Sequence, residues 1–188
     1  MKMAEVYLGL IHAPVYNKNM EVITTSITNL DLHDIARCVE TYGLKRYFVI
    51  HPVEAQRQLA RRIMGFWREG YGAEYNPDRK AAFDRVRIVE SLAEAVAVVE
   101  AEQGMPPRTV ATDARKYANT ITYPQLRKDA ETRKEPLLLL LGTGWGLVKE
   151  DMEQMDQILE PIYGCGEYNH LSVRSAAAII LDRLFGKY

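Results

Sequence analysis

Three glycines, Gly142, Gly144 and Gly146, lie within five residues directly after the apolar run Leu137 to Leu141. The apolar run predicts a buried strand, and the residues after it predict a turn into a helix. Glycines at such a turn lack Cβ atoms, so backbone N–H and C=O groups can approach a flat or charged ligand closely. A tight turn that only reverses the chain is the alternative, but three glycines exceed what one turn requires. The segment therefore predicts a ligand-binding loop.

The glycine loop does not match the common nucleotide-binding motifs. A Walker A motif needs a Gly-Lys pair that is absent here, and the dinucleotide motif G-x-G-x-x-G needs glycine at Leu147. Glu160 lies at a tolerable distance for an acid that binds a ribose, which leaves a small dehydrogenase-like domain as one alternative. However, the glycines of that domain follow its first strand, whereas these follow the fifth of six predicted strands. The position favours a different nucleotide-like ligand.

A second polar cluster precedes the Ala-rich stretch near the end of the chain. Asn169, His170 and Arg174 follow a glycine-containing loop, and the small residues 175–178 permit close packing. An ordinary core helix capped by Asn169 or Ser172 is the alternative. Polar groups gathered at the ligand edge of a sheet indicate a binding site.

The elements that position these residues alternate along the chain. Strands are predicted at Val6 to His12 and Arg46 to Pro52, and a helix at Asn29 to Gly43, with Asn29 as its N-cap and Gly43 as a left-handed C-cap. Residues 70–80 predict turns. The alternation predicts an α/β fold: a mostly parallel six-stranded sheet with helices on both faces.

A helix from Val53 to Glu69 provides a candidate RNA-binding face. Its periodicity places Leu59, Ile63 and Phe66 on one stripe, which predicts that the opposite side is exposed and basic. The three arginines of that side, Arg57, Arg61 and Arg68, are candidates for RNA binding, as is the basic region 79–87. A solvated helix face is the alternative for both.

Composition limits the classes of protein. The 188 residues, 47% hydrophobic and 26% charged, predict one domain spanning residues 1–188. Cys38, Cys165 and four scattered histidines provide neither a zinc site nor a disulfide framework, so we expect no metal and a reducing, cytoplasmic location. No targeting or membrane-spanning segment is evident. The net charge of −1 argues against a surface that is basic throughout.

Three motifs occur in order: NLDLHDIARCVETYG, LLLLLGTGWGL and YNHLSVRSAAAIILDRL. Together they resemble the motifs of the SPOUT class of S-adenosylmethionine-dependent RNA methyltransferases, over the whole domain. The run YNKNMEVITTSITNLDLHDIAR and the third motif are similar to a bacterial TrmD-like subfamily. The resemblance implies methyl transfer to a base nitrogen or ribose 2′-oxygen of tRNA or rRNA. Because HLSVRS departs from the related SLNVS-like run, a non-catalytic knotted homodimer that binds RNA or S-adenosylmethionine as a regulator is the alternative.

The resemblance also implies an α/β knot, in which the C-terminal stretch passes through a preceding loop as a deep trefoil. S-adenosylmethionine would bind bent among three loops. A homodimer would form through the final helix and the Asn29 to Gly43 helix and would complete each active site. The implied cofactor-binding residues are Thr112, Leu141, Gly142, Thr143, Gly144, Gly146, Ile162, Leu171 and Ser172.

The candidate catalytic residues are Arg37, Asn169, His170 and Arg174. Arg37 ends the first motif and would contact RNA phosphate or help activate the target atom; an ordinary ion pair with Asp34 or Glu40 is the alternative. Methyl transfer from a sulfonium needs positioning and proton removal, but no metal. His170 ranks first as the proton acceptor, with Glu167 also a candidate, because an arginine stays protonated. TrmD enzymes have a further C-terminal domain beyond the point where this chain stops, so guanine-N1 methylation is not carried over by name.

Overall fold

The computed structural model describes residues 4–118, 120–166 and 168–187. Glu167, one candidate proton acceptor, lies outside these residues. The described strands are β1 (Val6–Ile11), β2 (Val15–Tyr16), β3 (Val22–Ile23), β4 (Arg46–Ile50), β5 (Val86–Val89), β6 (Arg108–Thr112), β7 (Thr120–Ile121), β8 (Leu137–Gly142) and β9 (Gln157–Leu159). The described helices are α1 (Asn29–Thr41), α2 (Glu54–Arg68), α3 (Tyr71–Tyr75), α4 (Pro77–Asp84), α5 (Leu92–Gln103), α6 (Tyr123–Thr132), α7 (Lys149–Glu153) and α8 (Val173–Phe185).

Seven strands form one parallel sheet in the order β5-β4-β1-β8-β6-β9-β7. The predicted parallel α/β architecture is confirmed, but the predicted number of six strands is wrong. The additional strand is β7, which has two residues. An alternating pattern needs about four residues to be visible, so a strand of two residues could not be predicted from the sequence.

Helices cover both faces of the sheet, as predicted. Along β8, Leu137, Leu139 and Leu141 pack into the core beneath α1, α2, α4, α6 and α8. Leu138 and Leu140 point to the other core, beneath α5 and α7. This alternation explains why β8 is apolar at every position: a central parallel strand is buried on both sides.

The helix α1 begins and ends close to its predicted bounds. Its N-cap is Thr28 and not Asn29, because the Thr28 hydroxyl accepts a hydrogen bond from the Asp31 backbone N–H at 3.1 Å. Gly43 has the predicted left-handed conformation, with φ of +69°. The buried residues of α1 include Leu32, Ile35 and Val39, which fix this helix against the sheet.

The predicted orientation of α2 is correct at Ile63, which packs against the core, but wrong at Leu59, Phe66 and Arg57. Its buried residues are Arg57, Ala60 and Met64, whereas Leu59 and Phe66 are exposed. The guanidinium of Arg57 donates hydrogen bonds to the carbonyl oxygens of residues 51 and 52, at 2.8 and 2.7 Å, which satisfies a charge that would otherwise favour solvent. The segment predicted as turns forms α3 and much of α4, which pack against α2.

The strand order places a crevice beside the centre of the sheet. The chain runs from β1 outward through β4 to β5, and the later strands β6, β9 and β7 lie beyond β8 on the other side. Ligands of open α/β sheets bind at the carboxyl ends of strands where the order changes direction. The antiparallel hairpin of β2 and β3 lies at this edge. In the described part of the chain, no helix has the length and apolarity needed to cross a bilayer.

Candidate cofactor cavity

A cavity of about 980 Å³ opens at the carboxyl edge of the sheet. Its walls come from the glycine loop after β8, the segment after β6, the segment between β9 and α8, and the start of α1. The structure brings together all nine predicted cofactor residues as lining residues: Thr112, Leu141, Gly142, Thr143, Gly144, Gly146, Ile162, Leu171 and Ser172.

Packing within the folded chain, apart from any ligand, requires glycine at the three positions of the loop. At Gly144, φ is +60° and a Cβ atom would lie 2.6 Å from the Tyr16 carbonyl oxygen. At Gly142, a Cβ atom would lie 2.9 Å from the Leu147 backbone nitrogen. At Gly146, φ is +99° and a Cβ atom would lie 3.0 Å from a carboxylate oxygen of Asp113. The glycines therefore allow close packing of the loop against its neighbours, in addition to any approach of a ligand.

The hairpin of β2 and β3 holds the glycine loop in place. Trp145 donates its backbone N–H to the Tyr16 carbonyl at 2.8 Å, and Tyr16 donates to the Gly146 carbonyl at 2.9 Å. From β3, the chain continues to Thr25, whose hydroxyl lies 2.5 Å from the Thr143 hydroxyl. These bonds fix the loop before any ligand binds.

Two buried histidines lie beneath this contact, each directly after a strand. The His12 Nδ1 atom lies 3.1 Å from the Thr25 hydroxyl. His51 accepts the Val53 N–H at Nδ1, so its Nε2 carries the proton that it donates to the Thr25 carbonyl at 2.9 Å. Burial and the neighbouring His51 lower the pKa of His12 to about 4, and burial also lowers the pKa of His51. Sequence reasoning missed both residues, although their position at the ends of β1 and β4 was a signal.

Asp31, an acidic residue that sequence reasoning also missed, forms an ion pair with Arg174 in the wall of the cavity. Asp31 is buried and lines the cavity, and its carboxylate accepts a hydrogen bond from Arg174 at 3.1 Å. A second carboxylate, of Asp34, lies 3.4 Å from the Arg174 Nε atom. The first two turns of α1 thus fix the Arg174 guanidinium at the start of α8. The spacing of Asp31 and Asp34 on one helix face was the available signal.

The other predicted catalytic residues differ in their surroundings. Asn169 lines the cavity and donates to the Ala114 carbonyl at 2.9 Å. His170 is exposed at the rim, with its ring edge-on to Tyr168 at 5.5 Å between centres. Ser172 is the N-cap of α8, as one interpretation of the sequence predicted, and its hydroxyl accepts from the Ser175 N–H.

Arg37 is the one predicted catalytic residue that does not line the cavity. It lies on the exposed side of α1. The ion pairs expected as the alternative are not formed among the described residues, because Asp34 pairs with Arg174 and Glu40 pairs with Arg85. The structure therefore leaves the Arg37 guanidinium available at the surface of its own chain.

The predicted basic face of α2 needs a correction. Arg57 is buried and its guanidinium is bonded to Glu54 and to two carbonyls, so it does not contribute to an exposed surface. Arg61 and Arg68 are exposed or half-exposed, and they pair with Glu54 at 2.9 Å and with Asp84 at 3.2 Å. Their predicted role in RNA binding stays a prediction, now with a carboxylate beside each guanidinium.

Two further features of the cavity concern the dehydrogenase-like alternative and a metal site. Glu160 lines it, but its carboxylate accepts the Tyr123 N–H at 2.9 Å at the start of α6. No group of three or more His, Cys, Asp or Glu side chains is arranged to hold a metal ion in the ranges that the structure describes. The cavity therefore offers backbone groups, hydroxyls, three carboxylates that already have hydrogen-bond donors, and two guanidiniums, of Arg115 and Arg174, that are each held by a carboxylate.

Solved structures of methyltransferases have the same fold as this chain. The SpoU methyltransferase AviRb from Streptomyces viridochromogenes, solved in complex with the cofactor AdoMet, superimposes with a TM-score of 0.62 over 98% of this chain and 58% of that one, at 17% identity. At such low identity the likeness concerns the fold alone.

Sequence comparison assigns the chain to a family. A family model described as SAM-dependent RNA methyltransferase matches residues 5–186, so the chain belongs to that family and is an S-adenosylmethionine-dependent RNA methyltransferase. An uncharacterized protein of Aquifex aeolicus is 43% identical over 97% of this chain and 89% of its own length. A tRNA (guanine-N(1)-)-methyltransferase of Oleidesulfovibrio alaskensis is also 43% identical, over 96% of this chain, which spans 42% of that enzyme. This assignment replaces the dehydrogenase-like alternative.

Proposed function

We propose that the cavity beside the glycine loop binds S-adenosylmethionine and that this single-domain chain transfers the methyl group to tRNA. The observation that supports the site is the convergence of all nine implied cofactor residues on one cavity of about 980 Å³. This volume lies at the upper end of the range for small-molecule pockets, about 300–1,000 Å³. It is large enough for a bent cofactor and for part of an acceptor nucleotide.

The residues present fit the chemical groups of this cofactor. Backbone N–H and C=O groups of residues 141–146, 162–166 and 168–172 would bind its adenine and ribose, because Gly142, Gly144 and Gly146 have no side chain that would cover the backbone of the first segment. Three lining carboxylates, of Asp31, Asp113 and Glu160, already have hydrogen-bond donors of their own. They would lower the energy of a cationic sulfonium through the local field, without leaving an unpaired buried charge.

The bound cofactor supplies an electrophilic methyl group, and the chain supplies position and proton transfer. Arg174, held by two carboxylates of α1, would orient the acceptor through its phosphate. His170 at the rim would accept the proton that the acceptor nitrogen or hydroxyl loses. The glycine loop, which the hairpin holds in place, would keep the cofactor's methyl group in line with the acceptor atom. Such positioning is the larger part of catalysis in a displacement of this kind.

We also propose a homodimer that uses α1 and α8. These helices pack side by side, and Leu30 on α1 keeps 58% of its surface exposed. Arg37 lies outside the cavity of its own chain, so a catalytic role would place it in the cavity of a second copy. The implied knot belongs to this proposal too: its support is that the segment before α8 contacts the segment after β6, where Asn169 donates a hydrogen bond to the Ala114 carbonyl.

The proposal that tRNA is the substrate is supported by a relative that is named as a tRNA methyltransferase. This chain spans less than half of that relative. Guanine N1 is the acceptor that this name suggests. The two free cysteines, one exposed, are compatible with the reducing cytoplasm in which tRNA is modified.

Calorimetric titration with S-adenosylhomocysteine tests the site. We expect saturable binding, one molecule per chain, and a loss of about tenfold or more in the variant Ile162→Trp, because the larger side chain would fill part of the cavity. Ile63→Trp is the matched control, since Ile63 is also half-buried but lies on α2, outside the cavity. A folded wild-type chain that binds no S-adenosylhomocysteine would reject the proposal.

A further inference from the structure

An exposed tryptophan lies at the mouth of the cavity, in the middle of the glycine loop. Trp145 lines the cavity and keeps 53% of its surface exposed. The other tryptophan of the chain, Trp67, is half-buried, and the guanidinium carbon of Arg79 lies 4.3 Å from its ring centre. Tryptophan is buried to a high degree in most proteins because its apolar area is large. Folding of this chain therefore explains the position of Trp67 but not that of Trp145.

The backbone of Trp145 is held more firmly than that of a typical exposed loop residue. Its N–H donates to the Tyr16 carbonyl at 2.8 Å. The neighbours on either side, Gly144 and Gly146, have φ of +60° and +99° and no space for a Cβ atom. A ligand that contacts the indole would not have to order this loop, so little affinity would be lost on binding.

Trp145 is one of several exposed hydrophobic residues among those that line the cavity beyond its deep part. Tyr168 and Leu171 line the same mouth with 79% and 45% of their surfaces exposed. The deeper lining residue Leu141 is 2% exposed. A cofactor bound against the deep residues would leave the indole face available to the second substrate.

The second substrate of this family is RNA, whose unstacked bases are recognised by stacking on aromatic side chains. Two exposed lysines, Lys18 in the hairpin next to the loop and Lys116 after the lining residue Arg115, provide charge for the phosphates. The charge and the aromatic face together favour a nucleotide.

We propose that Trp145 is the stacking platform for the base of the acceptor nucleotide and holds that base over the cavity. This inference depends on the proposed function, because the cofactor must occupy the deeper part. Trp145 is thus a substrate-binding residue that acts on the RNA and not on the cofactor.

Kinetics of methyl transfer to a pool of unmodified tRNA transcripts tests the inference, with S-adenosylhomocysteine binding measured on the same variants. In Trp145→Leu, which keeps an apolar side chain but has no aromatic face, we expect the KM for tRNA to rise roughly tenfold to hundredfold. In Trp145→Phe we expect most of this loss to be restored. The affinity for S-adenosylhomocysteine and the unfolding midpoint should stay at wild-type values in both.

Fluorescence in the background of Trp67→Phe provides a second readout, because Trp145 is then the only tryptophan. Stacking predicts quenching when the tRNA pool is added to protein saturated with S-adenosylhomocysteine. An unchanged KM in Trp145→Leu would overturn the inference, as would a parallel loss of S-adenosylhomocysteine affinity, which would identify a platform for the cofactor's adenine. Emission that changes with protein concentration in the absence of RNA would overturn it in favour of a second copy. Absence of S-adenosylhomocysteine binding by the wild type would instead be a failure of the proposed function.

Discussion

Two loops that contain glycine border the cavity, and they use glycine differently. In the loop after β8, a Cβ atom at Gly142, Gly144 or Gly146 would meet backbone or side-chain atoms at 3.0 Å or less. In the loop before α8, a Cβ atom at Gly164 or Gly166 would meet nothing within 4 Å. The first loop is fixed by the hairpin. The second is joined to the segment after β6 by one hydrogen bond, from Asn169, among the described residues 163–166 and 168–171. The presence of several glycines in a loop therefore does not by itself indicate that the loop is constrained.

The largest effect should come from Gly144→Val. The new side chain would occupy a left-handed conformation and displace the Tyr16 carbonyl, so the loop and the hairpin would separate. We expect a loss of about 2–3 kcal/mol in the free energy of unfolding. Urea denaturation measures it. Calorimetry of the remaining folded protein should show no S-adenosylhomocysteine binding, and wild-type stability would contradict the steric argument.

The next largest effect concerns pH and the histidines under the fixed loop. The folded pKa of His12, about 4, lies below its ordinary value of 6.5, so the unfolded chain binds a proton more readily. The stabilisation of the folded chain that comes from a neutral His12 is fully present above pH 6.5 and is lost as the pH falls toward 4. Between pH 7 and pH 4.5, this one group should account for a loss of about 2 kcal/mol.

Urea denaturation at both pH values checks this, with His12→Gln as the comparison. The glutamine keeps a polar side chain but does not titrate, so the difference between the two pH values should shrink by about 2 kcal/mol. An undiminished difference would show that other groups, such as His51, are responsible. In that case the fixed loop would not depend on a neutral His12.

These two effects also show what the sequence could predict. The apolar run before Gly142 was sufficient to predict a strand of a parallel sheet, and the ordered motifs were sufficient to predict the nine residues that line the cavity. They were not sufficient for the hairpin of β2 and β3, because two-residue strands have no readable period. The sequence offered a ligand site or a simple tight turn for this loop, whereas Gly144 also makes room for the Tyr16 carbonyl.

The same limitation explains the error at α2. Helical periodicity identifies two faces, but it does not say which one packs inward when both contain long side chains. Arg57 is buried because two carbonyls after β4 happen to lie within reach of its guanidinium. Likewise, the spacing of Asp31 did not reveal Arg174 as its partner, because the two residues are 143 positions apart. Contacts of this kind depend on the assembled fold.

A smaller effect should follow from Asn169→Asp, which removes the hydrogen-bond donor to Ala114 while keeping the shape of the side chain. The lost bond should cost about 0.5–1.5 kcal/mol of stability. The proposed site should be affected more strongly, because the second loop would no longer be held over the cavity. Hydrogen exchange of residues 160–172 should become faster, and an unchanged rate would show that the loop has another anchor.

The smallest effect is expected at Gly164→Val, the matched control for Gly144→Val. A Cβ atom there meets nothing, and the backbone conformation does not require glycine, so the free energy of unfolding should stay within about 0.5 kcal/mol of the wild type. The S-adenosylhomocysteine affinity is the sharper measurement. An affinity equal to that of the wild type would mean that the second loop binds S-adenosylhomocysteine in the conformation described above. A large loss would mean that Gly164 changes conformation when the loop closes, and the contrast between a constrained and an open loop would then hold for the free chain only.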